Sequence, residues 1–319
     1  MKKYSARITV IFVALATLLQ IGLVSPIQAA TGGSGYKVFP IRTDINVSRG
    51  TSQTVTVYVQ NVSGSVENIQ TIFDDFVANP KENGSPDILL NGATDTQHGL
   101  KQFTTFSPAT FTLQPQATQT VKIIVSIPSV AAPGGYYGAV RFAPESQNGK
   151  QSVNLSASVA SLILVKVPGN FYENMTVTKF SAAQKGLAGD IFTNSKNLQA
   201  ITVFQNNGQA QEEPFGKVAL LKGNKQIGTF DINATTPPGN VLPNSSRSFT
   251  VDINGANSFG EYTLLGNFGY GSKGQSISVK TTFWVVPFAW IVVAIVILVL
   301  LIIILLLWLR ARSKKTHRF

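Results

Sequence analysis

The stretch Thr54-Val-Thr-Val-Tyr-Val-Gln-Asn61-Val-Ser63 decides how this chain is read. Val55, Val57 and Val59 alternate with Thr54, Thr56 and Tyr58. Side chains along a strand point to opposite faces in turn, so this period of two predicts a strand with one face buried and one wet. Val121, Ile123, Val125 and Ile127 repeat the pattern; so do Phe249, Val251 and Ile253 with Thr250 and Asp252 between them, and Val153, Leu155, Ala157 and Val159. Between 31 and 283 no stretch sustains a helical period in good helix formers. Short strands parted by Gly, Pro, Asn and Ser clusters predict an all-β fold of sandwiches.

The same stretch opens an internal repeat. Val59-Gln-Asn61-Val-Ser63 is answered by Phe204-Gln-Asn206-Asn-Gly208. Leu113-Gln-Pro115 precedes the strand at 121–127, and Leu242-Pro243 precedes the one at 249–253. Each Pro is followed by a Tyr-bearing strand, Gly135-Tyr136-Tyr137-Gly138 in one copy and Gly260-Glu-Tyr262 in the other. A glycine turn comes next, Asn148-Gly149 and then Gly271–Gly274, and Asn-Gly suits the positive φ values of a tight hairpin. A last apolar strand closes each copy, over 153–167 and 276–284. Four features in one order predict two tandem immunoglobulin-like β-sandwich domains, 31–168 and 169–283, joined at Pro168-Gly169. Tyr136 and Tyr262, at the start of each penultimate strand, fit a tyrosine corner whose hydroxyl bonds back to the backbone. The chain has no cysteine, so stability must come from apolar inner faces, and each domain is long enough to supply them.

The net charge of +11 looks like a nucleic-acid signature until it is divided. Eight of the 26 Lys and Arg residues lie in the first 30 and last ten positions; the remainder faces all 15 acids and carries only +3. No nucleic-acid partner is expected; the basic ends speak to membrane topology. Residues 1–30 have a basic start, an apolar run from Ile8 to Val24 and the small-residue end Ala29-Ala30, the pattern of a signal peptide cut after Ala29 or Ala30. Residues 284–309 read as a single transmembrane helix: Phe288 to Leu309 carries no charge, and 22 residues at about 1.5 Å each cross a ~30 Å hydrocarbon core. Trp284 and Trp308 flank it as interfacial anchors. Arg310, Arg312, Lys314 and Lys315 begin a basic tail, 310–319, that the positive-inside rule places in the cytoplasm. A sortase signal before the span is missing, since Leu242-Pro243 comes some forty residues too early. The expectation is a single-pass protein of the cytoplasmic membrane with 31–283 outside. A cysteine-free ectodomain favours a bacterial source over a eukaryotic one, which makes the seven Asn-x-Ser/Thr triplets chance rather than glycosylation sites.

The chemistry is sparse. His98, in Asp95-Thr-Gln-His98, could act as a base only if Asp95 oriented it, and a loop histidine is more commonly solvated. Asp74-Asp75 with Asp87 or Asp95 lacks the spacing of a calcium loop. No Gly-x-Ser-x-Gly elbow occurs, and Gly134-Gly135 precedes a strand, so it is no phosphate loop. Tyr136-Tyr137 could stack on a sugar ring, with one ring facing the core. No catalytic residue, cofactor or metal site is expected, and the protein is read as a non-enzyme.

The plan of signal peptide, two Ig-like domains, span and short basic tail resembles the WxL-interacting proteins of Gram-positive bacteria. The motifs that carry the resemblance are Asn61-Val-Ser63, Val121–Pro128, Gly134-Gly135-Tyr136-Tyr137-Gly138 and Pro214-Phe215-Gly216. Gly-Tyr-Tyr-Gly-Ala-Val-Arg-Phe departs from the commoner aliphatic glycine strand of that family. The resemblance implies peptidoglycan for the first domain and a surface protein or host partner for the second. The expected function is therefore binding of an envelope component, peptidoglycan or a surface protein, without catalysis. The alternative is an exported chaperone or assembly factor that pairs a sheet edge with a client strand. An exposed edge free of Pro and Lys favours the alternative; a carboxylate pair meeting in a cleft favours an enzyme.

Overall fold

The computed structural model describes residues 35–315 except 91, 96 and 146–157, with backbone alone over 311–315. The expected signal peptide with Ala29 and Ala30, the Asn148-Gly149 hairpin, and Val153, Leu155 and Ala157 lie outside the described residues.

The first sandwich is built from β1 (Tyr36–Phe39), β2 (Arg42–Asn46), β3 (Ser52–Asn61), β4 (Glu67–Ala78), β5 (Pro86–Ile88), β6 (Thr104–Ser107), β7 (Thr110–Leu113), β8 (Thr118–Ser126), β9 (Gly134–Pro144) and β10 (Val159–Val167). One sheet has the order β1-β3-β8-β6; the other runs β2-β10-β9-β4-β5, with β7 also on β4. The second sandwich comprises β11 (Met175–Gln184), β12 (Leu187–Ala188), β13 (Ile191–Phe192), β14 (Leu198–Asn206), β15 (Phe215–Lys222), β16 (Lys225–Ile232), β17 (Ser245–Asp252), β18 (Gly260–Tyr270) and β19 (Gln275–Val285). Its sheets are ordered β12-β11-β14-β17 and β13-β19-β18-β15-β16. The wiring repeats. β3 and β14 both sit between an earlier and a later antiparallel strand, and the last strand of each sandwich takes a short parallel neighbour, β2 on β10 and β13 on β19.

The alternation read from sequence is the alternation of burial. Val57, Val59, Val121, Ile123 and Val125 are fully buried, while the Thr and Lys residues between them face solvent or are half-buried. These join Ile69, Phe142, Ile163 and Val165 in the first core. Phe204, Leu220, Leu264, Phe268 and Phe283 lie in the second. Each fully buried aliphatic or aromatic side chain contributes about 1.5–3 kcal/mol, which is how two cysteine-free sandwiches hold together.

The repeated Asn positions explain themselves at atomic scale. Asn61 is fully buried; its Nδ2 donates to the carbonyls of Ser65 (2.7 Å) and Leu113 (3.0 Å), and its Oδ1 accepts from Ser63 N–H. Asn206 does the same with Ala210 (2.8 Å), Val241 (2.9 Å) and Gly208 N–H. Both tyrosine corners are present, with Tyr136 Oη bonded to Ala132 O at 3.0 Å and Tyr262 Oη to Ser258 O at 2.8 Å. Gln116 and Asn244, each just after the Pro of its copy, both adopt positive φ.

The C-terminal helix α1 spans Phe288–Lys315. It starts later than the 284 expected from sequence, because Trp284 and Val285 complete β19 and Pro287 blocks helix continuation into the strand. It also runs on past Leu309 into the basic tail, so Arg310, Arg312, Lys314 and Lys315 are helical. Over Phe288–Arg310 mean hydropathy reaches 3.8 with no part buried, long and apolar enough to cross a membrane.

Candidate functional site

The two sandwiches meet through a built junction. Phe76, Tyr137, Ala139 and Leu164 of the first form a third buried cluster, against which Leu242 of the second packs. Gly135 N–H donates to Gln209 O (2.8 Å), Tyr137 Oη donates to Gln211 Oε1 (3.0 Å), and Ser248 N–H donates to Glu82 O (2.7 Å). Arg42 bonds Asp44 on its own strand (2.6 Å) and reaches across the seam to Glu213 (2.8 Å) and Pro238 O (2.7 Å). The expectation that one ring of Tyr136-Tyr137 might meet a sugar is corrected here. Tyr136 fills the first core, and Tyr137, which would be the outward ring on an isolated sandwich, is 2% exposed beneath the second. Glycine is required after them at position 138, since a Cβ there would run into the Phe73 ring.

Beside this seam lies a cleft of about 460 Å³, lined by Asp44, Ile45 and Asn46 of β2, by Lys166, by Gln211 to Glu213, and by Asn240 and Ser272. Glu212 is its most perturbed group. Burial pushes its carboxyl up to about 7, helped by Glu173 and Glu213 and opposed by Lys166 and the Gly271 N–H. Its Oε2 accepts that N–H at 3.1 Å, while Oε1 is buried without a partner. The neighbouring carboxylates are held by other donors: Asp44 and Glu213 share Arg42, and Glu173 takes Ser272. Sequence reading missed this cleft, because Gln209-Ala-Gln-Glu-Glu213 reads as a solvated polar loop.

His98, Asp74 and Asp75 are used structurally. His98 directs Nδ1 to Gly135 O at 2.8 Å and leaves Nε2 buried and unpaired, with no carboxylate bonded to the ring. Asp74 is buried in an ion pair with Arg141 (3.0 Å) and approached by Lys101 (3.4 Å). Asp75 accepts the N–H groups of Lys101 and Asp95. Among the described residues no group of three or more acidic or histidine side chains is placed to hold a metal.

Of the sheet edges, one is open over a long stretch. β1 covers β3 only over Tyr58–Asn61, so on that side Ser52–Val57 has no strand beside it among the described residues. Ile127 N–H bonds Thr51 O, Asn61 N–H bonds Ala117 O, and Val62 N–H bonds Gly35 O. By this parity odd-numbered residues of β3 pair with β8, and the N–H and C=O groups of Ser52, Thr54 and Thr56 face outward. The stretch Ser-Gln-Thr-Val-Thr-Val holds neither Pro nor Lys. Of the other long edges, β17 is met by Glu82 O at its Ser248 N–H, and three more are blunted. β11 carries a bulge beside Lys179, β19 carries Lys280, and β16 begins at Lys225.

An all-β pair of sandwiches with a C-terminal apolar helix is the class this geometry defines. No family model and no curated protein matches the chain. Among solved structures it is similar to the class 5 fimbriae chaperone CfaA, at 15% identity over 79% of this chain and 99% of that one, with a TM-score of 0.38. It is similar to the E. coli chaperone DraB at 14% identity, 78% and 96% coverage and a TM-score of 0.32. A further likeness is to the CsuC–CsuE chaperone–tip subunit complex of Acinetobacter baumannii, at 12% identity, 76% and 97% coverage and a TM-score of 0.35. Likeness at this level sets neither function nor partner.

Proposed function

We propose that the chain is a membrane-tethered, extracytoplasmic binding protein that holds an extended segment of another envelope polypeptide, an assembly or chaperone role. The carrying observation is the open Ser52–Val57 edge. Three residues present paired N–H and C=O groups outward there, and their strand is pinned by Val55 and Val57 in the core, so an added strand gains ladder hydrogen bonds on a rigid template. The tether is α1, followed by a basic tail that reads as cytoplasmic. With the ectodomain near neutrality, moderate salt weakens the contact only slightly.

The test uses proline at outward positions, where it removes an edge donor without touching the β8 ladder. Full-length protein in detergent is offered envelope polypeptides and, in parallel, purified cell-wall sacculi. Thr54→Pro and Thr56→Pro should each keep the thermal midpoint within a few degrees yet weaken polypeptide binding at least about tenfold. Polypeptide binding indifferent to both prolines overturns strand addition. Sedimentation with sacculi, also indifferent to the prolines, replaces it with peptidoglycan recognition by the first sandwich.

A further inference from the structure

We infer that the end of the second sandwich next to α1 is itself a lipid-binding surface, inserted into the headgroup layer of the bilayer; this rests on the membrane tether proposed above. Only Val286 and Pro287 separate β19 from α1. Two extended residues span at most about 7 Å, and one headgroup region is itself about 5–8 Å deep. If Phe288 enters the hydrocarbon, the loops around Val285 have no length with which to stand clear of the headgroups.

Pairing directions bring to this end the β11–β12 turn, the β12–β13 segment, the β15–β16 turn and the loop before β18. Leu187 is 77% exposed and Ile191 68%, the latter paired beside Trp284. Phe259, half-exposed, packs against Trp284 at 6.1 Å and against Trp290 at 5.6 Å, so one ring joins the sandwich to the first turn of the helix. Large apolar side chains gathered at one end mark an interaction surface, and Trp and Phe beside a span suit the interface.

The charge at this end is balanced. Lys185, Lys225 and, on the β13–β14 loop at the same end, Lys196 are exposed, against Asp190, Asp252 and Glu261. Lys222 is already engaged by Ser258 Oγ and Phe259 O, which anchors Phe259 in place. With three acids beside three lysines, the apolar centre and not net charge carries insertion into the headgroup layer.

The absence of cysteine allows single-site labelling without background. Full-length protein carrying Leu187→Cys, Ile191→Cys, Val130→Cys or Leu298→Cys, each with an environment-sensitive fluorophore, is placed in vesicles of phosphatidylglycerol and phosphatidylcholine. Val130 is 90% exposed on the first sandwich and serves as the aqueous reference; Leu298 lies within α1. Labels at 187 and 191 should be blue-shifted and quenched at least about threefold more than the 130 label by a headgroup-level quencher, with 298 quenched by a deep one. If both behave like 130 while 298 is quenched deeply, the lipid-binding end is wrong and the span stands. If 298 escapes the deep quencher, the tether fails and this inference with it.

Discussion

Glu212 shows what a single buried group does to the pH response of the whole junction. The side chain is 4% exposed, and burial is the main reason its carboxyl titrates near 7 rather than near 4.5. The folded state therefore keeps the proton between about pH 4.5 and 7, while the unfolded chain has released it. Because the folded state binds the extra proton, this contribution to stability is full below pH 4.5 and is lost as pH rises through 7. Glu212→Gln should leave the thermal midpoint near that of the wild type at pH 5. At pH 8 it should be more stable by on the order of 1–2 kcal/mol, and thermal melts at the two pH values check this; a variant less stable at both contradicts it. Asn61 and Asn206 are the opposite case, polar groups whose hydrogen bonds are complete. They were legible as a repeat because the chain spells each beside a strand end, though not as buried, since Asn in a turn normally reads as exposed.

At the scale of elements, legibility followed the period of two. β3, β8 and β17 stand out because one side of each strand is apolar and the other is not. The short parallel strands β2 and β13 were invisible. Arg42-Thr-Asp-Ile-Asn46 has no alternation, and its partner β10 begins more than a hundred residues later, so only the folded sheet defines it. Tyr137 was misplaced for a related reason: the outer face of one sandwich becomes interior once the second packs on it. The exposed edges carry a prediction of their own. On β19, Ile277 and Val279 are half-buried, and Lys280 is the one charge along an otherwise unpaired run outside Ile191–Phe192. Lys280→Val should raise self-association through edge pairing. Sedimentation velocity in detergent should then show dimers or larger species absent from the wild type, and an unchanged monomer would count against this role for the lysine.

For the whole molecule, the proposal is that 31–168 and 169–283 each carry a core of their own and are coupled by the Tyr137–Leu242 cluster. Truncating the half-buried Leu242 should cost the junction about 1–3 kcal/mol and leave both cores intact. Calorimetry is expected to show one overlapping transition for the wild type and two resolved ones for Leu242→Ala; a single sharp transition in both would mean that the sandwiches fold as one. The path of the chain through the second sandwich has a mechanical consequence. It enters at Met175, beside Asn206, and leaves at Val285, at the opposite end, and β19 is paired residue by residue with β18 from Gln275 to Val285. A load drawn between a captured partner and the membrane is thus applied along β19. The ladder is sheared as a unit, with its hydrogen bonds sharing the force, whereas an exit at the other end would unzip them one at a time.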